Sequence, residues 1–302
     1  MSLTITLSQA LTQAVASGLD PLDAECLLLH ALGRTREQRA WLRAHDTDTL
    51  ATDAGHRFDQ LCARRIAKEP LAYITGERGF FGLTLHVDAR VLDPRPDTET
   101  LVDWALDVLA HTPHPHVVDL GTGSGAIALA IQHVRRDAHV VAVDASADAL
   151  AVAQANADRL QLPVRCVQGS WLAPVRAGGT SIGTGTPAGS ASGDAPSRFD
   201  LIASNPPYIA EGDSHLPALV HEPIEALTSG PDGLDDIRLI VAQSPACLRP
   251  GGWLLLEHGH DQAEAVTTLL NQRGFVNVQS RKDLAGTPRC TGGQWMPNTK
   301  EG

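Results

Sequence analysis

Asn205-Pro206-Pro207-Tyr208 sets an amide side chain, two prolines and a phenol ring directly after the apolar run Leu201-Ile202-Ala203-Ser204. Two consecutive prolines withhold two backbone N–H groups and cannot continue a sheet ladder, so the strand predicted over 201–204 stops and the chain turns outward. Asn205 is then left at the carboxyl end of a strand, where open α/β sheets bind their ligands. An amide oxygen, a stiffened Pro206 carbonyl and an aromatic ring together suit a planar nitrogen group, either a carboxamide or an aromatic amine. The plainer reading of the same four residues is a proline turn with an exposed tyrosine.

A second constellation lies upstream. Val117-Val118-Asp119-Leu120 reads as a buried strand and runs into Gly121-Thr122-Gly123-Ser124-Gly125, a glycine-rich turn ahead of a helix. Glycines let the backbone approach a ligand closely and leave helix N–H groups pointing at it. The next strand ends in Asp144, a carboxylate placed where α/β nucleotide sites bind ribose hydroxyls. A dinucleotide and S-adenosylmethionine both suit this layout. The spacing is GxGxG rather than GxGxxG, and Asp119 would repel a pyrophosphate but attract a cationic sulfonium; both features favour S-adenosylmethionine. Gln168-Gly169-Ser170-Trp171 ends the third strand, where Trp171 either packs against an adenine ring or serves as a core-edge tryptophan.

The elements that carry these residues alternate. From Asp97 onward the pattern predicts strands over 117–120, 140–144, 164–167, 201–204, 253–257 and 275–280. Helices are predicted over 98–109, 126–134, 147–160, 234–248 and 262–273, which together mean a mostly parallel sheet covered on both faces. The first 75 residues read as a small helical domain. Asp20-Pro21 starts one helix and Gly33 closes it, Thr35 and Gln38 have capping-box spacing, and a further helix runs from 52 to 68. Residues 76–96 alternate as a β-hairpin linker (Phe81, Leu83, Leu85, Val87). Residues 97–302 form the sheet domain, interrupted at 176–197 by a Gly-, Ser- and Thr-rich stretch too poor in apolar groups to order itself.

Composition narrows the partners. A formal net charge of −11 argues against a phosphate-binding surface, because nucleic-acid affinity rests on Lys and Arg. Cys26, Cys62, Cys166, Cys247 and Cys290 are scattered, with no CxxC pair, which fits reduced thiols in a cytoplasmic protein. No signal peptide or membrane-length apolar run is evident.

Glu69-Pro70-Leu71-Ala72-Tyr73-Ile74-Thr75-Gly76, Arg95-Pro96-Asp97-Thr98-Glu99, the DLGTGSG loop, the NPPY tetrapeptide and Gly251-Gly252-Trp253-Leu254-Leu255-Leu256-Glu257-His258-Gly259 extend the pattern along nearly the whole chain. With them the chain resembles the class I S-adenosylmethionine-dependent methyltransferases, and within these the protein N5-glutamine methyltransferases that modify peptide chain release factors. The resemblance implies a seven-stranded Rossmann-like domain behind a helical, substrate-docking N-terminal domain. It implies S-adenosylmethionine as cofactor, held by Asp119, Gly121, Thr122, Gly123, Ser124, Gly125, Asp144, Trp171 and Asn205. The implied substrate is the glutamine of a Gly-Gly-Gln loop in a class 1 release factor, bound by Asn205, Pro206, Pro207 and Tyr208. Asn205, Pro206 and Tyr208 would do the chemistry by aligning the amide nitrogen, which requires no metal and no strong base.

The alternative is a nucleic-acid adenine-N6 methyltransferase, which shares NPPY but needs a basic groove that this chain lacks. A dinucleotide-dependent oxidoreductase and an inert binding module are weaker rivals. Glu257 and His258 are expected to be structural. Gly292-Gly293-Gln294 repeats the substrate motif where the resemblance leads one to expect an arginine at 294. That match raises either self-methylation or, far better supported for a three-residue match, coincidence.

Overall fold

The computed structural model describes residues 5–176 and 198–297. The stretch expected to form a disordered insertion therefore lies, beyond Arg176, outside the described residues. The chain divides into two compact units, Met1–Glu77 and Arg78–Gly302.

The first unit is helical: α1 (Leu7–Ala16), α2 (Pro21–Ala31), α3 (Arg39–Ala44), α4 (Thr52–Ile66) and α5 (Leu71–Thr75). Local chemistry sets its boundaries. Thr6 and Gln9 cap α1 reciprocally, a capping box that satisfies two orphan donors at once. The Asp20 carboxylate accepts from the N–H of Leu22 at 2.8 Å, with Pro21 opening α2. Leu27, Leu28, Leu29, Leu42 and Phe58 form the centre of this unit's own core.

The hairpin expected between the domains is β1 (Glu77–Phe80) and β2 (Leu83–His86), joined through Phe81 and Gly82. Both turn residues have positive φ, 47° and 76°, as a tight two-residue hairpin turn requires. Most of the hairpin groups with the second unit instead of standing apart as a linker. Asn156, wholly buried, explains this: its Oδ1 accepts from the N–H of His86 at 2.7 Å and its Nδ2 donates to the carbonyls of His86 and Ser124.

The second unit continues with α6 (Glu99–Leu109), β3 (His116–Leu120), α7 (Ala126–Val134), β4 (His139–Asp144), α8 (Ala147–Leu160), β5 (Arg165–Gln168) and β6 (Phe199–Ser204). It ends with α9 (Asp235–Gln243), β7 (Leu248–Glu257), α10 (Ala263–Arg273), β8 (Phe275–Lys282) and β9 (Pro288–Trp295). The seven strands are ordered β5-β4-β3-β6-β7-β9-β8. All neighbours are parallel until β9, which pairs antiparallel with both β7 and β8. The chain leaves β3 toward β4 and β5, then returns to place β6 on the other side of β3, so the switch point falls between β3 and β6.

Two elements differ from the pattern-based expectation. The helix predicted over 234–248 ends at Gln243 because Pro245 cannot continue the hydrogen-bond ladder; β7 then begins at Leu248, five residues early, across a bulge at Gly251. β9 was not among the six patterned strands. Gly292 and Gly293 occupy its middle, and glycine carries no side-chain signal of strand structure.

Packing explains those glycines. A Cβ at Gly292 would sit 2.4 Å from a Leu255 methyl, 2.8 Å from the Leu254 carbonyl and 3.0 Å from the buried Trp104 ring. Gln294 is half-buried and braced at both ends: its Oε1 accepts from Asn277 Nδ2 and its Nε2 donates to the Gly251 carbonyl, each at 2.9 Å. Gly292→Ala should therefore lower stability by about 1–3 kcal/mol through overpacking. The measurement is a drop in urea midpoint with an unchanged m-value.

Candidate active site

Register aligns the site. Leu120 of β3 pairs with Val143 of β4 on one side and Ser204 of β6 on the other; Ser204 pairs in turn with Leu256 of β7. The residues that follow, Asp144, Gly121, Asn205 and Glu257, thus emerge side by side at the carboxyl edge, with Gln168 of β5 beside Asp144. Sequence-distant groups are brought together here by strand pairing alone.

The glycine loop is a hydrogen-bonded ring. The N–H groups of Gly121 and Thr122 both donate to the Val143 carbonyl, and Gly125 donates to Thr122. Asp119 is fully buried; its Oδ2 accepts from the Thr122 hydroxyl at 2.6 Å and from the Ala128 N–H at 3.2 Å, while Oδ1 has no partner among the described residues. Asp144 closes the ring from β4. One carboxylate oxygen accepts from Gly123 and the other from Ser146, each at 2.9 Å. Thr122 and Ser124 are buried and Gly121 and Gly123 half-buried. Gly123 has φ +55° and open space where a Cβ would project, the opening that close approach of a ligand needs. The open cradle and the unpartnered Asp119 oxygen both fit a small cationic ligand at this loop.

Trp171 follows β5 with a left-handed φ of 48°, uncommon for a bulky residue. Its ring edge would lie 3.3 Å from a Cβ on Gly121, and its indole N–H donates to Asp236 Oδ1 at 3.2 Å. Asp236 in turn is held by Ser229. The ring is half-buried against the sheet core, so Trp171 is packed at the core edge and walls the glycine loop at once.

The tetrapeptide is anchored at both ends. Asn205 donates through Nδ2 to the Thr98 hydroxyl at 3.3 Å. The Tyr208 carbonyl accepts from Gln262 Nε2 at 3.0 Å, and Gln262 Oε1 accepts from the Gly259 N–H at 2.8 Å. A Cβ on Gly233 would fall 2.2 Å from that same Tyr208 carbonyl, so only glycine allows the approach. Between these anchors Pro206 is buried, and Asn205, Pro207 and Tyr208 are half-buried.

The 95–99 segment spends each polar side chain on a different element. Arg95 pairs with buried Glu222 at 2.5 Å, Asp97 with Arg289 of β9 at 3.3 Å, Thr98 receives Asn205, and Glu99 accepts from the Phe81 N–H at 2.9 Å. Sequence reasoning marked this segment by resemblance without assigning it a role. Gln262, Gly233 and Asn156 it missed altogether, since each acts on backbone atoms remote in sequence and leaves no local pattern.

Electrostatics divide the strand ends. Burial lifts the Glu257 carboxyl to about 7, against the lowering pull of a hydrogen bond from Thr98 and of Arg289. Burial, then the charge of Glu257, raises the Tyr208 phenol to about 12, so it stays neutral. His258 is buried, with Nδ1 on the Gly259 carbonyl and Nε2 on the Thr291 hydroxyl. Burial lowers its pKa, and with both nitrogens engaged it is structural.

Burial likewise lifts Asp119 from 3.8 to about 7, offset by the Thr122 and Ala128 hydrogen bonds. A carboxyl with a raised folded-state pKa keeps its proton where the unfolded chain has lost it, so its contribution is full at low pH and is lost as pH rises toward 7. Asp119→Asn removes that slope. Between pH 4 and pH 7 the wild type should lose stability relative to the variant by roughly 1.4 kcal/mol per pH unit at most, read by chemical denaturation at several pH values.

Residues 4–76 match the PrmC N-terminal domain and residues 98–181 the methyltransferase small domain. The release factor glutamine methyltransferase of Bordetella pertussis is 46% identical over 278 residues, covering 91% of this chain and 95% of the relative. That of Burkholderia pseudomallei is 48% identical over 287 residues, covering 92% and 93%. Among solved structures, the hMettl16 catalytic domain in complex with a 3′UTR hairpin aligns with a TM-score of 0.53 at 15% identity, covering 81% of this chain and 82% of that one. That likeness is one of fold: an α/β methyltransferase sheet. Identity above 40% across nine-tenths of both chains, together with the loop, tetrapeptide and strand-end geometry, places the chain in the release factor glutamine methyltransferase family.

Proposed function

We propose that this enzyme methylates the side-chain amide nitrogen of the glutamine in the Gly-Gly-Gln loop of a class 1 peptide chain release factor, using S-adenosylmethionine. The observation that carries the reading is the tethered Asn205 amide. Its nitrogen is engaged by Thr98, its oxygen is left to accept, and it stands one strand away from the glycine loop.

Gly121 to Gly125 would receive the cofactor's aminoacyl end, with the buried Asp119 behind the loop, its ionised form favoured by a bound cation, Asp144 taking the ribose and Trp171 bordering the base. When bound, the cofactor supplies an electrophilic methyl on a cationic sulfur that departs as a neutral thioether. An amide nitrogen is a weak nucleophile because its lone pair is delocalised, so the protein's task is mainly alignment. Asn205 Oδ1 and the Pro206 carbonyl accept the two N–H groups of the target amide. They also stabilise the positive charge that develops on nitrogen. Tyr208, neutral and half-buried, packs against the amide plane and excludes water. The methylated nitrogen is acidic enough to lose its proton to solvent without a dedicated base.

Incubating the protein with labelled S-adenosylmethionine and intact release factor should place one methyl group on the Gly-Gly-Gln glutamine, located by mass spectrometry. Methyl transfer to DNA adenine with none to the release factor would overturn the reading. Asn205→Ala should lower turnover by about two to three orders of magnitude, with a smaller loss of cofactor affinity measured by calorimetry.

A further inference from the structure

A backbone carbonyl only accepts and a backbone N–H only donates, so a glutamine amide set among three backbone groups has one permitted orientation. Gln262 is such an amide. Its Oε1 accepts from the Gly259 N–H at 2.8 Å, and the Gly259 carbonyl accepts from the Gln262 N–H at 3.0 Å. This reciprocal pair lies between the end of β7 and the start of α10 and fixes the side chain to its own turn. Nε2 then donates to the Tyr208 carbonyl at 3.0 Å and to the Asp232 carbonyl at 3.3 Å. A flipped amide would set its oxygen against two carbonyls and its NH2 against an N–H.

We propose that Gln262 is a positioning residue for methyl transfer, its Nε2 clamping the peptide that follows Tyr208 and so holding the Tyr208 ring against the substrate amide. This rests on the role given to Tyr208 above. The peptide unit joining Tyr208 to Ile209 is held at both polar ends, its C=O by Gln262 and its N–H by the Leu227 carbonyl at 2.9 Å. The Ile209 carbonyl accepts in turn from the Ser229 N–H at 3.0 Å. Upstream, the rings of Pro206 and Pro207 fix their own φ torsions. The torsions left to pivot are those around Tyr208, and the Gln262 bond removes that pivot.

Gly233 completes the clamp. It has a φ of +73°, and a Cβ there would fall 2.2 Å from the Tyr208 carbonyl oxygen and 2.9 Å from Gln262 Nε2. The backbone just before α9 therefore packs directly against the bond between them. The side-chain hydrogen bonds of Gln262 reach neither the glycine loop nor Asp144, so its effect falls on methyl transfer and not on cofactor binding.

Two variants separate the halves of the amide. Gln262→Glu keeps the acceptor for Gly259 and removes the Nε2 donor; Gln262→Met removes both. Assayed on intact release factor near pH ~8.5, well above the glutamate range, both should lower kcat about tenfold or more, with cofactor Kd within about twofold of wild type. In a Tyr208→Ala background, Gln262→Met should cost less than about twofold, because the residue acts through the ring. Tyr73 and Tyr208 are the only tyrosines in the sequence, so fluorotyrosine labelling reads the ring without substrate. The Tyr208 fluorine resonance, assigned with Tyr208→Phe, should be a single line in wild type and should broaden or split in Gln262→Met, with the Tyr73 line unmoved. Thermal melts establish the folded fraction used for each rate. The proposal falls if Gln262→Glu keeps the wild-type rate, since only the turn at Gly259 would then matter. It falls equally if the Tyr208 line is unchanged in Gln262→Met, or if that change costs as much without the ring as with it. A wild type that leaves the release factor unmethylated would instead refute the substrate assignment, while the fluorine spectra still test the clamp.

Discussion

Strand register is the constraint on which the rest of this site depends. Pairing of Leu120 with Val143 and Ser204, and of Ser204 with Leu256, puts four chain reversals at one edge of one sheet. In a parallel sheet a one-residue slip would move every side chain to the opposite face. It would also carry Asn205 away from the glycine loop by a strand rise of about 3.3 Å. The buried valines and leucines of β3, β4, β6 and β7 therefore do more than form a core: their fit on both faces holds the site in alignment. The Ser204 hydroxyl reinforces the register directly, donating to the Leu120 carbonyl at 2.7 Å across the switch point.

The same edge carries an unusual charge arrangement. Asp119 lies within β3 and Glu257 ends β7, one strand to either side of β6, and both carboxyls are wholly buried and shifted upward by desolvation. Where ionised, two buried acids flanking one strand end disfavour an anionic ligand, and a bound cation would draw their pKa values back down. That environment is poorly suited to a pyrophosphate and consistent with a sulfonium. Arg289 and Arg95 do not cancel it. They are committed to Asp97, Asp283 and Glu222, which fixes the segment before α6 to β9 and to the loop containing Glu222.

How much of this was legible depends on what kind of interaction a residue makes. β3, β4 and β6 were readable because each is an unbroken apolar run between turn residues, and Asn205 because two prolines mark the end of its strand. β9 was not, since its Gly292 is dictated by the Trp104 ring and Leu255 methyl pressing on it, neither of which is near in sequence. The end of α9 was signalled by Pro245, yet the apolar residues beyond it continued the helical period and hid the signal. Gln262 and Asn156 were silent for a third reason. Each uses its amide to bridge backbone groups on separate elements, and a bridge of that kind has no periodicity to detect.

The two amides that sequence motifs singled out are separated by a single physical test. Gln294 sits in a Gly-Gly-Gln match, yet its amide is pinned at both ends, its oxygen by Asn277 and its nitrogen by the Gly251 carbonyl, so presenting it to a ligand would loosen the β9 edge. His258, beside a strand-end acid, is in the same position, with both ring nitrogens engaged. Asn205 differs: one end is held by Thr98 and the other has no protein partner among the described residues. A side chain held at one end and open at the other is oriented and still available, which is what preorganised recognition requires. Engagement at both ends thus separates the structural Gln294 amide from the proposed working amide of Asn205 where a short motif cannot.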